Sequence, residues 1–216
     1  MDFAAARRNM IESQLRTNRI VDESVLAVMA EIPRERFVPE RLQRIAYVDE
    51  DLAIGGGRYV MEPLVLAAMI QGAEIQPSDA VLDIGSGTGY AAVVLARLAG
   101  TVFALESDAA LAAGAVELYA EMAPDNVVAV DGLLEEGCAE HAPFDVILIE
   151  GAVERIPEAI LDQLGDGGRL VAVVLEDGIG RLTAIHKRGG HVSRHAIRDA
   201  NTPALAAFRR PAEFVF

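Results

Sequence analysis

This chain of 216 residues has a single cysteine, no tryptophan and no long apolar run. Its one cysteine, Cys138, excludes an internal disulfide framework. Its histidines, cysteine and acids show no ligand spacing, so no metal site is predicted. No apolar run approaches the ~18 residues that a membrane span needs, and residues 1–8 lack the apolar segment of a secretory signal. We therefore expect a cytoplasmic protein with no membrane partner.

Positive charge is scarce in the middle of the chain. Residues 59–180 hold 3 arginines against 21 acids, whereas residues 1–58 hold 9 arginines against 10 acids. Residues 181–216 hold 7 arginines or lysines against 2 acids, and the formal net charge of the whole chain is −14. Because so acidic a core repels a phosphate backbone, no nucleic-acid partner is expected. A small or peptidic acceptor fits the charge better.

The abundant residues are glycine and small apolar residues, and they meet in the motif Asp83-Ile-Gly-Ser-Gly-Thr-Gly-Tyr90. A short apolar run at 81–84 predicts a buried parallel strand ahead of the glycines. An alanine- and leucine-rich helix at 91–99 follows them. A second strand, 102–105, ends on Glu106. Strand, glycine loop, helix, strand and acid outline one half of a Rossmann-type nucleotide-binding fold.

Two kinds of cofactor compete for this loop. Counted from Gly85, the third position of the dinucleotide fingerprint falls on Tyr90, which is too large for the close packing that NAD or FAD sites use. S-adenosylmethionine (SAM) has no phosphate and carries an ammonium and a sulfonium, and no cation lies in residues 83–90. Asp83 is placed to attract that positive end, and Glu106 to accept hydrogen bonds from both ribose hydroxyls. The alternative, a turn-capping Asp83 and a solvated Glu106, explains less of the pattern.

Helices are predicted ahead of the core. Residues 3–17 have helical spacing, and residues 23–30 form a second helix with Asp22 as its N-cap. Residues 33–39 then form an extended or short helical connector. The arginines in and after it are expected to be solvated surface charges: Arg34, Arg36, Arg41 and Arg44.

Three consecutive glycines, 55–57, close this N-terminal extension of residues 1–58. We expect them to form a mobile loop that closes over a bound ligand, with a simple linker as the alternative. Pro63 suits the first turn of the apolar helix that follows, 64–70.

The core, residues 59–180, continues as alternating helices and strands. Helices are predicted at 109–122 and 156–164. Strands are predicted at 126–130, 144–149 and 169–175. Right-handed crossovers place these strands in one parallel sheet, with a ligand at their carboxyl ends.

Two further acids follow predicted strands at that edge. Asp131, with Gly132 and Leu133, is placed to accept from the adenine amino group, although an ordinary Asp-Gly turn is a credible alternative. Glu150 ends the fourth strand of the core.

The last region, residues 181–216, reads as a hairpin and a final strand. Alternating segments at 180–187 and 191–198 flank a turn at 188–190, and the tail 211–216 is a last short strand. The fold class is therefore α/β and Rossmann-like. A mostly parallel seven-stranded sheet carries helices on both faces and an N-terminal helical extension, all in a single domain over 1–216.

The chain resembles the protein-L-isoaspartate O-methyltransferase family over most of its length. The similarity lies in residues 10–16, the Ile-Pro-Arg-Glu-x-Phe-Val-Pro pattern within 28–39, the motif 83–90, residues 143–149 with the Ile156-Pro157 that follows, and the turn at 164–170. It implies a SAM-dependent methyltransferase fold and transfer of a methyl group from SAM to the α-carboxylate of an isoaspartyl residue in a damaged protein. S-adenosylhomocysteine (SAH) is the product, and repair follows by spontaneous succinimide formation and hydrolysis. The cofactor contacts implied are Asp83, Gly85, Ser86, Gly87, Gly89, Tyr90, Glu106, Ser107, Asp131, Gly132, Leu133 and Glu150.

The acceptor segment departs from the family's pattern. The family usually carries Gly-x-Thr-Ile-Ser-x-Pro before its first core helix, whereas residues 57–63 here place Tyr59 at the threonine and Met61 at the serine. After the third strand, the family's Asp-Gly-x-x-Gly ends on Glu135 instead of glycine. Two alternatives therefore stay open, namely a changed acceptor (a small acid or a particular peptide) and a SAM-binding protein without turnover.

A carboxylate is the methyl acceptor that agrees best with the residues outside the cofactor motif. With a pKa near ~4 it is already ionised and needs no general base. Entering an acidic core, it needs a cation, for which Arg58 is the candidate, with Tyr59 as a hydrogen-bond donor. Arg58 pairing with Asp49 or Glu50 is the alternative, and both a monomer and a homodimer are open. All four histidines lie outside the motifs: His141, His186, His191 and His195.

Overall fold

The computed structural model of the chain describes residues 1–210 and contains a seven-stranded sheet and a separate two-stranded hairpin. The predicted final strand at 211–216 lies outside the described residues. The α-helices are α1 (Phe3–Asn9), α2 (Glu23–Glu31), α3 (Pro63–Ala73), α4 (Tyr90–Ala96), α5 (Ala109–Met122) and α6 (Glu158–Asp162). The strands are β1 (Leu52–Gly55), β2 (Arg58–Val60), β3 (Ala80–Ile84), β4 (Thr101–Glu106), β5 (Val127–Asp131), β6 (Phe144–Val153), β7 (Leu164–Glu176), β8 (Ile179–Arg188) and β9 (His191–Asp199).

The central sheet has the strand order β5-β4-β3-β6-β7-β8-β9. The pairings from β5 to β7 are parallel, and those of β8 and β9 are antiparallel. The chain moves outward from β3 to β5 and then returns to β6 on the other side of β3. This reversal opens a crevice at the carboxyl ends of β3 and β6, where ligands bind in such sheets. The prediction of a mostly parallel seven-stranded sheet is confirmed.

Apolar side chains cover both faces of this sheet. Val81 of β3 belongs to one buried cluster, shared with α3, α4 and the N-terminal helices. Leu82 and Ile84 belong to a second cluster on the opposite face, shared with α6. Since successive side chains of a strand point to opposite faces, the run of apolar residues reflects burial on both sides. Among the described helices, none is long and apolar enough to cross a membrane.

The N-terminal helix changes its hydrogen-bonding pattern along its length. The predicted helix at 3–17 is α-helical only to Asn9, then π-helical over Met10–Leu15 and 3-10 over Arg16–Asn18. In the wider π turn, residues five apart line up, so Met10 and Leu15 are both buried. The second helix begins behind Asp22, as predicted, with the Asp22 carboxylate accepting from two backbone amides.

Arg34 contradicts the prediction that it is a surface charge, because its side chain is fully buried. A 3-10 turn over Arg34–Phe37 points it inward. Its Nε donates to the Ala46 carbonyl (2.7 Å) and its Nη2 to the Met61 carbonyl (2.6 Å). Its guanidinium lies over the Tyr90 ring at 5.0 Å. Carbonyls and an aromatic face thus replace water around the charge.

The other three arginines of that group are exposed, as predicted: Arg36, Arg41 and Arg44. Arg36 forms a surface ion pair with Glu121 at 2.7 Å.

Several predicted boundaries are wrong, and the sheet explains most of them. The helix expected at 91–99 ends as an α-helix at Ala96, because the following amides turn back onto Val94 and Leu95 in tighter turns. The strand expected at 144–149 continues to Val153, since β6 and β7 keep pairing past an irregularity. The helix expected at 156–164 is only α6, which starts after Pro157.

The remaining strands shift by small amounts. The strand expected at 126–130 is β5, one residue later. The strand expected at 169–175 is β7, which begins at Leu164 and includes the predicted turn as a bulge against β6. The hairpin of β8 and β9 around Gly189 and Gly190 is confirmed.

The glycines 55–57 form a tight hairpin turn instead of an open loop. All three have positive φ (107°, 56° and 71°), which glycine adopts without strain. The turn joins β1 to β2, which pair antiparallel. A Cβ on Gly56 would overlap the Asp108 carboxylate, so the hairpin tip rests on the start of α5. Its closing over a ligand stays a prediction.

Candidate active site

The glycine loop between β3 and α4 lies at the mouth of the crevice. Gly85, Gly87 and Gly89 have φ values of 84°, 55° and 88°, a region that side chains disfavour. The amides of Gly85 and Ser86 both donate to the Leu105 carbonyl, which fastens the loop to β4. The loop therefore presents backbone, with few side-chain atoms, to a bound molecule.

Glu106, at the end of β4, is a buried carboxylate held in one orientation by the backbone. Its Oε1 accepts from the amides of Ser107 (2.7 Å) and Asp108 (2.8 Å). Its Oε2 accepts from the amide of Gly87 (2.9 Å). Three rigid donors thus fix the carboxylate beside the glycine loop, and its contact with a ribose stays a prediction.

Asp83, next to last in β3, and Glu150, inside the adjacent strand β6, meet in the crevice. The prediction that Glu150 ends its strand is wrong, because β6 continues to Val153. Both are buried, and neither oxygen of Asp83 nor Oε1 of Glu150 has a hydrogen-bond partner among residues 1–210. Burial raises the pKa of Asp83 to about 7, interaction with the Glu150 carboxyl lowers it, and the charge of Glu106 raises it. Burial, followed by the charge of Asp83, raises the pKa of Glu150 well above its ordinary value. Buried carboxyl oxygens without donors favour a positively charged ligand.

Two buried phenols border this group of carboxyl residues. The hydroxyls of Tyr90 and Tyr119 have no hydrogen-bond partner in the described part of the chain. Tyr90 packs edge-on against Phe37 at 5.4 Å. Tyr119, on α5, lies against Gly89, where a Cβ would overlap its ring. Sequence reasoning missed Tyr119, because only the packing of α5 brings it to the loop.

A cavity of about 220 Å³ extends from the loop along β4 and β5 under α5. Ser86, Glu106 and Asp131 lie in its wall, with alanines and Tyr119. Asp131 pairs in register with Glu106 across β4 and β5, so the two predicted acids do share an edge. Asp131 and Leu133 are exposed. Their adenine contacts stay predictions.

The three acceptor candidates point in different directions. Arg58 turns inward, and its Nε lies 3.1 Å from Oε2 of Glu106. Tyr59 is 36% exposed, whereas Met61 is 1% exposed. The alternative pairing of Arg58 with Asp49 or Glu50 is therefore wrong, because Glu106 is its partner.

A surface cluster near α6 was not expected from the sequence. Cys138, Glu140 and His141 place one ligand atom each within 4.8 Å of one another. Burial raises the pKa of the Cys138 thiol, which disfavours the thiolate that a metal requires. His141 stacks on Phe103 at 4.6 Å. The cluster supports no metal assignment.

Replacing Gly89 by alanine tests the loop geometry. The positive φ and the overlap with Tyr119 should together lower the free energy of unfolding by about 2 kcal/mol. Gly114→Ala is the matched control: Gly114 sits inside α5 with open space around it, so the variant should gain about 0.5–1 kcal/mol. Urea denaturation measures both, and equal effects of the two substitutions would contradict the strained geometry at Gly89.

A molecule entering the crevice meets backbone from a glycine loop without a cation and a group of buried carboxyl residues. That chemistry, on this sheet, defines the class as the Rossmann-like methyltransferases that use SAM. Residues 5–201 match the family model described as Protein-L-isoaspartate(D-aspartate) O-methyltransferase (PCMT). The chain belongs to this family, which confirms the resemblance seen in the sequence.

Proteins of this family match most of the chain in sequence and in structure. The Protein-L-isoaspartate O-methyltransferase of Koribacter versatilis is 42% identical over 197 residues, which are 91% of this chain and 89% of that protein. A solved protein-L-isoaspartate O-methyltransferase has a TM-score of 0.80 at 23% identity, covering 93% of this chain and 66% of its own. A structure of a PCMT from Plasmodium falciparum in complex with SAH has a TM-score of 0.79 at 22% identity, covering 95% and 98%. At these identities the two structures support the fold.

Proposed function

We propose that this chain is a SAM-dependent enzyme that methylates the α-carboxylate of isoaspartyl residues in peptides and proteins. The observation that carries the proposal is the pair Asp83 and Glu150, buried and without donors from the described chain, beside Glu106. Such a pair suits the cationic end of SAM, and the chain matches a carboxyl methyltransferase family along most of its length.

The positions of these residues support an assignment of the parts of SAM that each would contact. Asp83 and Glu150 face the ammonium and sulfonium of SAM, and Glu106 accepts from the ribose hydroxyls. Gly85, Ser86, Gly87 and Gly89, with Tyr90 behind them, let the donor approach the backbone. Ser107 flanks the ribose, and Asp131, Gly132 and Leu133 border the adenine. Holding the donor in one orientation is most of what an in-line transfer needs.

The chemical step is a displacement at the methyl carbon. A carboxylate oxygen of the acceptor forms the new O–C bond as the C–S bond breaks, and the sulfur keeps the electron pair. The positive sulfonium and the negative carboxylate become a neutral thioether and a methyl ester. The acceptor is ionised at neutral pH and needs no base. The histidines agree with this, since His141 stacks on Phe103 and His186 on His195 (5.2 Å).

A changed acceptor is the second candidate function, and the acceptor segment favours it. Where the family usually has serine, Met61 is buried and its carbonyl accepts from Arg34 (2.6 Å). Where the family usually has threonine, Tyr59 is a larger, partly exposed phenol. A small acid, or one particular peptide, would fit an acceptor site in which Tyr59 and Met61 replace the family's threonine and serine.

We further propose a cytoplasmic enzyme whose partner is a peptide or protein carboxylate, as a monomer or homodimer. The net charge of −14 supports the exclusion of nucleic acid. Residues 1–216 are proposed to form one methyltransferase domain, with the extension (1–58), the SAM-binding core (59–180) and the C-terminal region (181–216).

Transfer of labelled methyl from SAM to two versions of one peptide tests the function. We expect label on the isoaspartyl peptide and none on its aspartyl isomer, because the α-carboxylate is free only in the isoaspartyl peptide, whereas in the aspartyl isomer it forms the peptide bond. Label on neither peptide, with SAH still bound in calorimetry, would exclude isoaspartyl transfer, and a screen of other carboxylates would then separate a changed acceptor from absent turnover.

A further inference from the structure

Arg58 contacts both oxygens of Glu106, the carboxylate proposed to bind the ribose. Its side chain is 11% exposed and that of Glu106 only 2%. The Arg58 Nε lies 3.2 Å from Oε1 and 3.1 Å from Oε2, and its Nη2 donates to the Ser107 hydroxyl at 2.8 Å. The ion pair thus spans from the tip of the β1–β2 hairpin to the end of β4.

The hydrogen-bonding capacity of Glu106 is filled by this contact. A carboxylate offers about four acceptor positions. Three are taken by the amides of Gly87, Ser107 and Asp108, which belong to the loop and the start of α5 and are fixed there. Arg58 takes what remains, and it comes from a separate element. The three fixed amides leave one position, so a ribose hydroxyl can bind Glu106 there only if Arg58 leaves.

We propose that Arg58 is a cofactor-displaced latch. The ribose of SAM replaces the guanidinium on Glu106, and the released Arg58 then receives the carboxylate of the acceptor. The inference rests on the cofactor site of the proposed function and adds an order of binding to it: cofactor first, acceptor second.

The charge distribution explains why release matters. While paired with Glu106, Arg58 offers no net charge to an incoming carboxylate. Once displaced, it is a cation on the hairpin beside the partly exposed Tyr59, at the border of a segment with 3 arginines against 21 acids. An anionic acceptor gains a partner there only after the cofactor is bound.

Calorimetry with SAH tests the latch on the full chain. Arg58→Ala should bind SAH about tenfold more tightly than the parent, because no ion pair has to be broken. Arg36→Ala is the matched control, since it also removes one arginine from an ion pair, the exposed surface pair with Glu121. It should leave SAH affinity unchanged. Arg58→Gln serves as a second variant if the alanine variant has a lowered melting temperature.

A second titration follows the released guanidinium. The isoaspartyl peptide should bind the SAH-loaded parent and bind the parent without SAH at least about tenfold more weakly. It should bind SAH-loaded Arg58→Ala as weakly as the unloaded parent.

The outcomes separate the latch from the function. If Arg58→Ala binds SAH no more tightly than the parent, the latch is overturned while the cofactor site stands. If neither protein binds SAH, the cofactor site itself fails. If the variant gains SAH affinity but binds peptide like the parent, the latch stands and the role of the freed guanidinium is overturned.

Discussion

Asp83→Asn is expected to weaken SAH binding by about 100-fold. Asp83 is fully buried at the end of β3, and neither of its oxygens has a donor within the described chain. Its carboxylate is therefore free to pair with an ammonium, whereas an amide offers no charge and turns donors toward the cation. Losing a charge-assisted contact in a dry site costs about 3 kcal/mol, which corresponds to that factor. Calorimetry measures it, with the exposed Asp125→Asn as control for the loss of one acid.

The same substitution should also change how stability depends on pH. Burial raises the pKa of Asp83 to about 7, whereas an aspartate in an unfolded chain titrates near ~4. Between these values the folded state holds more protons than the unfolded state, so the stability of the ligand-free protein falls as pH rises through this window. In Asp83→Asn the fall between pH ~6 and ~8 should be about 1 kcal/mol smaller. The groups acting on the pair Asp83 and Glu150 are Glu106 and Arg34.

The affinity for SAH should change with pH in the direction opposite to the stability of the ligand-free protein. The ammonium of SAH binds the ionised pair, so SAH affinity in the parent should rise from pH ~6 to pH ~8, and it should rise less in the variant, which keeps only the Glu150 carboxyl. Glu62, whose pKa burial and nearby acids raise to about 7, is present in both proteins and cancels in the comparison. An SAH affinity that survives Asp83→Asn would show that the pair does not face the cofactor.

Arg34→Met is expected to lower the free energy of unfolding by about 3 kcal/mol. The side chains have similar length, so little space is opened. However, the Ala46 and Met61 carbonyls lose their donor, and Tyr90 loses the cation over its ring. Unsatisfied buried acceptors cost about 1–3 kcal/mol each, and removal of a buried charge with no carboxylate bonded to it offsets part of this loss. Urea denaturation measures the change.

Arg36→Met is the matched control, two residues away in the same turn. Its partner Glu121 is exposed, so the loss should be within about 0.5 kcal/mol. Equal effects at both positions would contradict the buried role of Arg34. A loss of stability confined to Arg34→Met, with weakened SAH binding, would show that the extension holds the crevice in shape.

The fold was largely readable from the sequence because its signals are local. The apolar run before Asp83 and the glycines after it define a strand and a turn without reference to the rest of the chain. The predicted helix at 109–122 matches α5 at both ends, because Asp108 caps it and Pro124 follows it. The helix after the glycine loop was predicted too long. The α-helix ends at Ala96, and the chain then brings Gly100 close to the Ser78 backbone, a contact that the sequence does not reveal.

The candidate site was readable in part. Acids at strand ends were found because topology alone brings them to one edge. The burial of Arg34 was not, because a charged residue in a polar segment looks solvated until packing shows otherwise. The partner of Arg58 was not either, because Glu106 is far from it in the chain, whereas Asp49 and Glu50 are near. One signal for Arg34 was present: it is the arginine of the pattern Ile-Pro-Arg-Glu-x-Phe-Val-Pro that carried the resemblance.

The attachments of residues 1–58 limit how this enzyme can be shortened or transplanted. The Thr88 hydroxyl of the glycine loop donates to the Phe37 carbonyl at 2.6 Å, and Arg34 holds the segment after β2. A fragment starting near residue 59 would therefore lose one support of its cofactor loop and uncover the apolar sides of α3 and α4. The N-terminal extension and the SAM-binding core would therefore have to be moved between scaffolds together, as one unit.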